Sequence, residues 1–327
     1  MTVKNSITAI GLALTAGMFA IAQAQDGEDK DFNISGLTDP RDGYPDISPD
    51  GQYVAFQSNR SGAWQLWLVK ADGTGLRRLT HSGANDVTPV WSPDGAKIMF
   101  ASDRAGGASR DFDPAETFDA RDIYVMDVAG GFENAETTVT RIIENDADDM
   151  HPEWADGGTK VVFNRVYKTE DGADILIANI DGSNETMVET ERGWNTYAAM
   201  TPDAKRLVYR GTVEETRDGE SVQNSDVFSS RIDGSDRNRL TDDPAFDGWP
   251  AISPDGGTIA FASSRSGEAN HIYLMPVGGG GPRQITFGDK FHYTQPAWSA
   301  DGTKLAAFRW QADGAGEIGH IVMIKLE

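Results

Sequence analysis

The feature that most constrains the fold is a four-residue string that recurs along the chain. It reads Ser48-Pro49-Asp50-Gly51, Ser92-Pro93-Asp94-Gly95 and Ser253-Pro254-Asp255-Gly256, with weaker copies at Ala155-Asp156-Gly157-Gly158, Thr201-Pro202-Asp203-Ala204 and Ser299-Ala300-Asp301-Gly302. Six residues before the last position of each copy stands Pro45, Pro89, Pro152, Ala198, Pro250 or Pro296. A β-prone apolar stretch follows each copy, such as Val54-Ala55-Phe56 or Ile259-Ala260-Phe261. A second apolar stretch opens on a polar residue, as in Asp122-Ile123-Tyr124 and Asp226-Val227-Phe228, and a last short strand ends in Leu79-Thr80, Leu240-Thr241 or Ile285-Thr286.

The spacings test this alignment. Third- and fourth-strand anchors lie 13 residues apart in four units (Leu66 to Leu79, Ile175 to Val188, Val227 to Leu240, Ile272 to Ile285). The next strand-opening position follows 10 residues later in four cases. Six units of four short antiparallel strands predict an all-β, six-bladed β-propeller. Strands covered on both faces by neighbouring blades can be apolar on both, and Asp-Gly supplies the positive φ of the hairpin turns. The sixth unit runs out after its third strand, and residues 32–38 (Ile34-Ser35-Gly36-Leu37-Thr38) are expected to supply its fourth, removing two exposed edges.

Residues 1–24 read as a secretory signal peptide: Lys4, an uncharged apolar run from Ile7 to Ile21, and Ala22-Gln23-Ala24 ahead of Gln25. The run is shorter than the roughly 20 residues a membrane span needs. Residues 25–31 are then a linker and 32–327 the propeller. No other long apolar run exists, so no membrane insertion is expected after cleavage. The expected product is a monomer in the periplasm or the secreted fraction. With no cysteine, a disulfide scaffold and a thiolate metal site are excluded. The net charge of −22 argues against nucleic acid as a partner. It fits either solubility in a saline medium or choice of a cationic partner.

Three motifs together, namely the S-P-D-G unit with its preceding proline, the Ser-x-Arg-x-Gly at Ser58–Gly62, Ser102–Gly106 and Ser263–Gly267, and the closing Leu-Thr, resemble TolB-like propeller repeats over residues 32–327. The resemblance implies the propeller fold. Such propellers serve as interaction scaffolds, as substrate gates of peptidases, and as lyase or hydrolase bodies. TolB itself is a periplasmic partner of envelope proteins and carries an α/β domain ahead of its propeller, for which this chain has no room.

Residues just before the strand-one position should ring the channel mouth on the face that carries the strand two-to-three loops: Tyr44, Thr88, His151, Tyr197, Trp249 and Gln295. They form either a platform for an oligosaccharide or peptide, or packing for the loops. Asp42, Asp86, Asp149, Asn195 and Asp247 precede them, either capping loops by Asx turns or offering oxygen ligands to calcium; no other cofactor is expected. Arg60, Arg104 and Arg265 pair with those aspartates or recognise a partner carboxylate. His271 and His320 occupy a repeat position otherwise held by Asp122, Asp174 and Asp226, which argues for a structural hydrogen bond. His292 lies near the mouth. There is no H-E-x-x-H and no G-x-S-x-G.

Insertions between second and third strands break the repeat in units two and four. The first contains Asp111, Phe112, Asp113 and Phe118 and is expected to contact a partner. The leading expectation is therefore a binding module for an envelope protein, peptide or oligosaccharide, held over the mouth between these loops. The alternative is a lyase or hydrolase acting on carbohydrate or peptide, with His151, His292, Tyr44 or Tyr197 as acid or base.

Overall fold

A computed structural model of the chain describes residues 30–31, 42–105, 121–167, 172–188, 191–217, 219–312 and 317–326. These residues form six four-stranded antiparallel sheets. In the first blade the strands are Asp42–Ile47, Tyr53–Ser61, Ala63–Lys70 and Arg77–Arg78, running from the axis outward. Blades two to five repeat this order from innermost strands Asp86–Trp91, Asp148–Ala155, Thr196–Met200 and Asp247–Ile252. The sixth contributes His292–Trp298, Lys304–Ala312 and Glu317–Lys325.

The ring closes as expected, with the N-terminal segment as the outermost strand of the last blade. Lys30 pairs with Met323 and Asp31 with Val322, as Arg77 and Arg78 pair with Leu68 and Trp67 in the first blade. The paired residues lie ahead of the expected 32–38, inside the stretch read as linker. Residues 32–38 are outside the described residues. Outer strands only two residues long carry too little hydrophobic pattern to fix their register from sequence.

The S-P-D-G unit is a self-contained turn. Ser48 Oγ donates to Asp50 Oδ1 at 2.6 Å, the same oxygen accepts from Gln52 N at 3.0 Å, and Tyr53 N donates to Ser48 Oγ at 2.9 Å. The set recurs at Ser92, Ser253 and Ser299, and at Thr201 with threonine in place of serine. The fourth position is left-handed, at φ 69° for Gly51 and 70° for Gly95, which glycine takes at no steric cost.

The core lies between blades. Phe56, Phe100, Phe163, Tyr209 and Phe261, one from each second strand of blades one to five, are fully buried. Apolar clusters join neighbours, as where Ala55, Leu66 and Leu68 meet Trp91, Ile98 and Phe100. The long third-to-fourth connection of blade two holds a 3₁₀ turn, Phe132–Thr138, and Phe132 lies edge-on to Tyr53 and Trp91. The unit-four insertion is a lengthened hairpin, Arg206–Arg217 paired with Glu220–Arg231. No helix among the described residues is long and apolar enough to cross a membrane.

Candidate functional site

Every innermost strand carries a bulge at the same place. Pairing slips between Gly43 and Asp46, Val87 and Val90, Met150 and Glu153, Thr196 and Ala199, Gly248 and Ala251, and Thr294 and Ala297. The proline that follows the first bulged residue in five blades has no N–H for the ladder, so the bulge is where it fits. The first bulged residue is left-handed in all six: Tyr44 (φ 49°), Thr88 (51°), His151 (49°), Tyr197 (56°), Trp249 (50°) and Gln295 (54°). These are the six residues expected at the mouth. A non-glycine residue in this region costs on the order of 1 kcal/mol, and six in register mark a constrained ring.

The ring seals the channel. Tyr44 and Tyr197 come from opposite blades, yet their hydroxyls are 3.2 Å apart. His151 Nε2 lies 3.3 Å from the Tyr44 hydroxyl, and its Nδ1 lies 2.8 Å from Asn164 Oδ1. With the Asn164 amide oxygen assigned toward the ring, Nδ1 donates to it, Nε2 accepts from Tyr44, and Tyr44 accepts from Tyr197. Gln295 Oε1 accepts from Tyr44 N at 2.7 Å, and Gln57 Oε1 accepts from Thr88 N at 2.9 Å. Ring centroids of His151 and Tyr197 are 4.1 Å apart, those of Tyr197 and Trp249 5.8 Å, and Phe246 backs Trp249 at 5.0 Å. Burial pushes His151 down to about 3, so the imidazole is neutral, and raises the Tyr44 phenol well above its ordinary value.

Below this seal lies a cavity of about 540 Å³. Its lining runs from the ring down to the S-P-D-G turns (Pro49, Pro93, Pro202, Pro254) and, among the described residues, includes none from the insertion-loop face. It is therefore blind at the ring and opens on the turn face, opposite to the face expected to hold the ligand. The residue after each proline position lines the wall: Asp46, Val90, Glu153, Ala199, Ala251 and Ala297. The wall is thus acidic at blades one and three, with Val90 of blade two between them, and apolar through blades four to six. Asp46 Oδ2 accepts from Trp91 N at 2.6 Å. Burial drives Asp46 up to about 7, and burial together with the Asp46 charge drives Glu153 up to about 8. The motif reading missed both carboxylates. The available signal was two acids in a column otherwise filled by valine and alanine.

The outer rim is structural. Arg60 pairs with Asp42 at 2.5 Å, Arg104 with Asp86 at 2.8 Å, Arg265 with Asp247 at 2.7 Å and Arg165 with Asp149 at 2.7 Å. The serine of Ser-x-Arg-x-Gly accepts from the same guanidinium, as Ser58 Oγ does from Arg60 Nε at 2.9 Å. The carboxylates that the calcium reading would offer a cation are thus taken by arginine, and Arg60, Arg104 and Arg265 are engaged by those aspartates. Asn195 caps its loop through Glu191 O at 2.9 Å. Among the described residues no group of three or more His, Asp or Glu comes together as a metal set.

His292 is not brought to the cavity. It stacks on Trp310 at 3.9 Å and its Nδ1 accepts from Asn270 N at 3.2 Å. His271 meets Thr286 Oγ1 at 3.3 Å, the structural bond expected of its repeat position. Asp111, Phe112, Asp113 and Phe118 lie outside the described residues.

A six-bladed ring with S-P-D-G-type turns in five blades, Asp–Arg clasps in four and a proline-walled central cavity defines a class of repeat propeller. The chain belongs to the TolB beta propeller domain family, which matches residues 33–109 and 166–325. It is 34% identical over 126 residues to an uncharacterised protein of Agrobacterium fabrum, covering 38% of this chain and 40% of that protein. It is 24% identical over 257 residues to the uncharacterised peptidase YuxL of Bacillus subtilis, covering 74% of this chain and 32% of YuxL. The chain thus spans well under half the length of these relatives. The structure of a putative TolB from Agrobacterium tumefaciens superposes with a TM-score of 0.60 at 20% identity, over 88% of this chain and 91% of that one, a likeness of fold.

Proposed function

We propose that the protein is an exported binding propeller of the cell envelope that takes a segment of a protein or peptide partner into its blind central pocket. The observation that carries this reading is the seal. Tyr44 and Tyr197 bridge opposite blades, so the cavity is a socket with a floor and not a passage. The floor's acid–base candidates, His151 and Tyr44, are spent on one another and on Asn164, which favours holding over turnover. Export rests on the signal-like first 24 residues, and periplasmic location is part of the same proposal. The pocket's opening moves the expected contact to the turn face.

Pull-down from periplasmic extract tests this with two variants. Ala251→Trp fills the pocket from its apolar wall, and deletion of Ala108–Ala120 removes the unit-two insertion. Loss of capture in the first and retention in the second is expected. Capture that survives a filled pocket but disappears with the deletion would return the site to the insertion-loop face.

The carboxylate pair supports a second reading, a lyase or hydrolase acting on carbohydrate or peptide. Two acids poised near 7 and 8 resemble a general acid–base couple. Turnover on polysaccharide and peptide panels, abolished by Asp46→Asn, would establish it.

A further inference from the structure

We infer that the central pocket is built to receive an alkylammonium group, held by Asp46 and Glu153 on its acidic wall and by the aromatic rings of Tyr44, Tyr197 and Trp249 at its floor. This rests on the reading of the pocket as the binding site and names the chemistry of what enters it.

The first argument is a contrast within the molecule. Four buried rim acids, Asp42, Asp86, Asp149 and Asp247, are each matched by an arginine. Asp46 and Glu153, half-buried in the cavity wall, receive only backbone N–H groups among the described residues, from Trp91 and Ile47 for Asp46 and from Trp154 for Glu153. A half-buried carboxylate pair left without a counter-cation is costly to ionise, and a ligand cation relieves that cost. The second is the sign of the lining. Its charged residues are Asp46, Glu153 and Asp156, and among the described lining residues there is no lysine or arginine. The neutral His151 adds no positive charge.

The third is an unclaimed polar atom. Thr88, on the ring between the blades that carry Asp46 and Glu153, is only 6% exposed, and its Oγ1 has no hydrogen-bond partner. An ammonium brings three N–H donors that the Asp46 and Glu153 carboxyls and the Thr88 hydroxyl can accept. Aromatic faces at the floor add cation–π attraction, strongest where water is excluded. The apolar wall of Ala199, Ala251 and Ala297 suits the methylene stem behind the charge. The chain's net charge of −22 draws cations toward any opening.

Linkage gives the inference a signature. The cavity's titratable groups are Asp46, Glu153, Asp156, His151, Tyr44 and Tyr197, with Asp156 also 3.5 Å from Lys160 at the rim. Asp46 and Glu153 share at least one proton near neutrality. An incoming cation favours their ionised forms, so binding expels about one proton there.

Titration calorimetry of the full chain in two buffers of different ionisation heat tests this with n-butylammonium, neutral n-butanol, and a blocked Gly-Lys-Gly peptide with its Nζ-acetylated form. The amines are expected to bind at least about tenfold tighter than their neutral counterparts. Proton release should accompany binding, and Glu153→Gln and Asp46→Asn should each weaken it by about tenfold or more. Glu153→Gln mimics the protonated acid and should keep the fold, with thermal melts confirming this for both variants. Tighter binding of the peptide than of butylammonium would assign the ammonium to a partner's lysine, and the reverse to a free amine.

Equal binding of the neutral probes, amine binding untouched by both variants, or no amine binding would each overturn the inference. If amines fail while Ala251→Trp still abolishes partner capture, the pocket reading survives and only the ammonium assignment falls. Capture that withstands Ala251→Trp removes the pocket reading itself.

Discussion

Six side chains set the character of the molecule's centre, and their backbone conformation explains how. Left-handed φ at Tyr44, Thr88, His151, Tyr197, Trp249 and Gln295 coincides with the bulge in each innermost strand, so strain, bulge and ring are one feature. Tyr44→Phe removes the hydroxyl shared by His151 and Tyr197 and strands both partners. A loss of roughly 1–3 kcal/mol in urea unfolding is expected. The wall acids make a prediction of opposite character. Their raised values mean that the folded chain holds protons the unfolded chain has released. Their contribution to stability is therefore full below the ordinary carboxylate range and lost as pH rises through about 7 for Asp46 and about 8 for Glu153. Wild-type stability relative to the Asp46→Asn, Glu153→Gln double variant should fall between about pH 5 and about pH 9, as measured by denaturant melts. A difference that stays flat across that range would show both acids to be solvated.

At the scale of the element, two local devices recur through the ring, a self-bonded turn in five blades and an Asp–Arg clasp in four. The S-P-D-G turn closes on itself through the serine and aspartate oxygens. Those bonds hold Asp94, Asp203, Asp255 and Asp301 below the ordinary carboxylate range, with Asp301 at about 2. One copy breaks the rule: Ala204 sits at φ 57°, where its sisters have glycine. Ala204→Gly should stabilise the protein by about 1 kcal/mol in thermal or urea melts, because left-handed backbone costs a residue with a Cβ about that much. The second device is the Asp–Arg–Ser clasp between the first two strands. In blade five Arg265 Nη2 lies 2.9 and 2.7 Å from the two oxygens of Asp247, which has no solvent exposure, and the guanidinium lies 5.3 Å from the Phe261 ring centroid. Arg265→Ala leaves that carboxylate buried and alone. A loss of about 3–5 kcal/mol is expected, and Asp247→Asn in the same chain should recover part of it.

At the scale of the whole molecule, what could be read in advance divides along the range of the interactions. The blades were legible because Ser48, Asp50 and Tyr53, or Asp42, Ser58 and Arg60, sit at fixed short spacings that recur, so each motif reports its own bonds. The ring residues were legible as positions for the same reason. Their union was not, since Tyr44 reaches Tyr197 across 153 residues of chain. Asp46 and Glu153 gain meaning only when six columns converge on one axis and water is excluded, and no local spacing carries that. Closure by the N-terminal segment followed from counting strands, whereas its register at Lys30–Asp31 did not, because two residues of edge strand specify little. The direction proposed for the site follows from the same geometry: among the described residues the cavity ends at the ring and runs to the turn face. Site-specific photocrosslinking tests this most directly, with a photoreactive residue at Val90 in the pocket wall or at Glu214 on the lengthened hairpin of the opposite face. A partner adduct at Val90 and none at Glu214 is expected, and an adduct at Glu214 with none at Val90 would contradict the account.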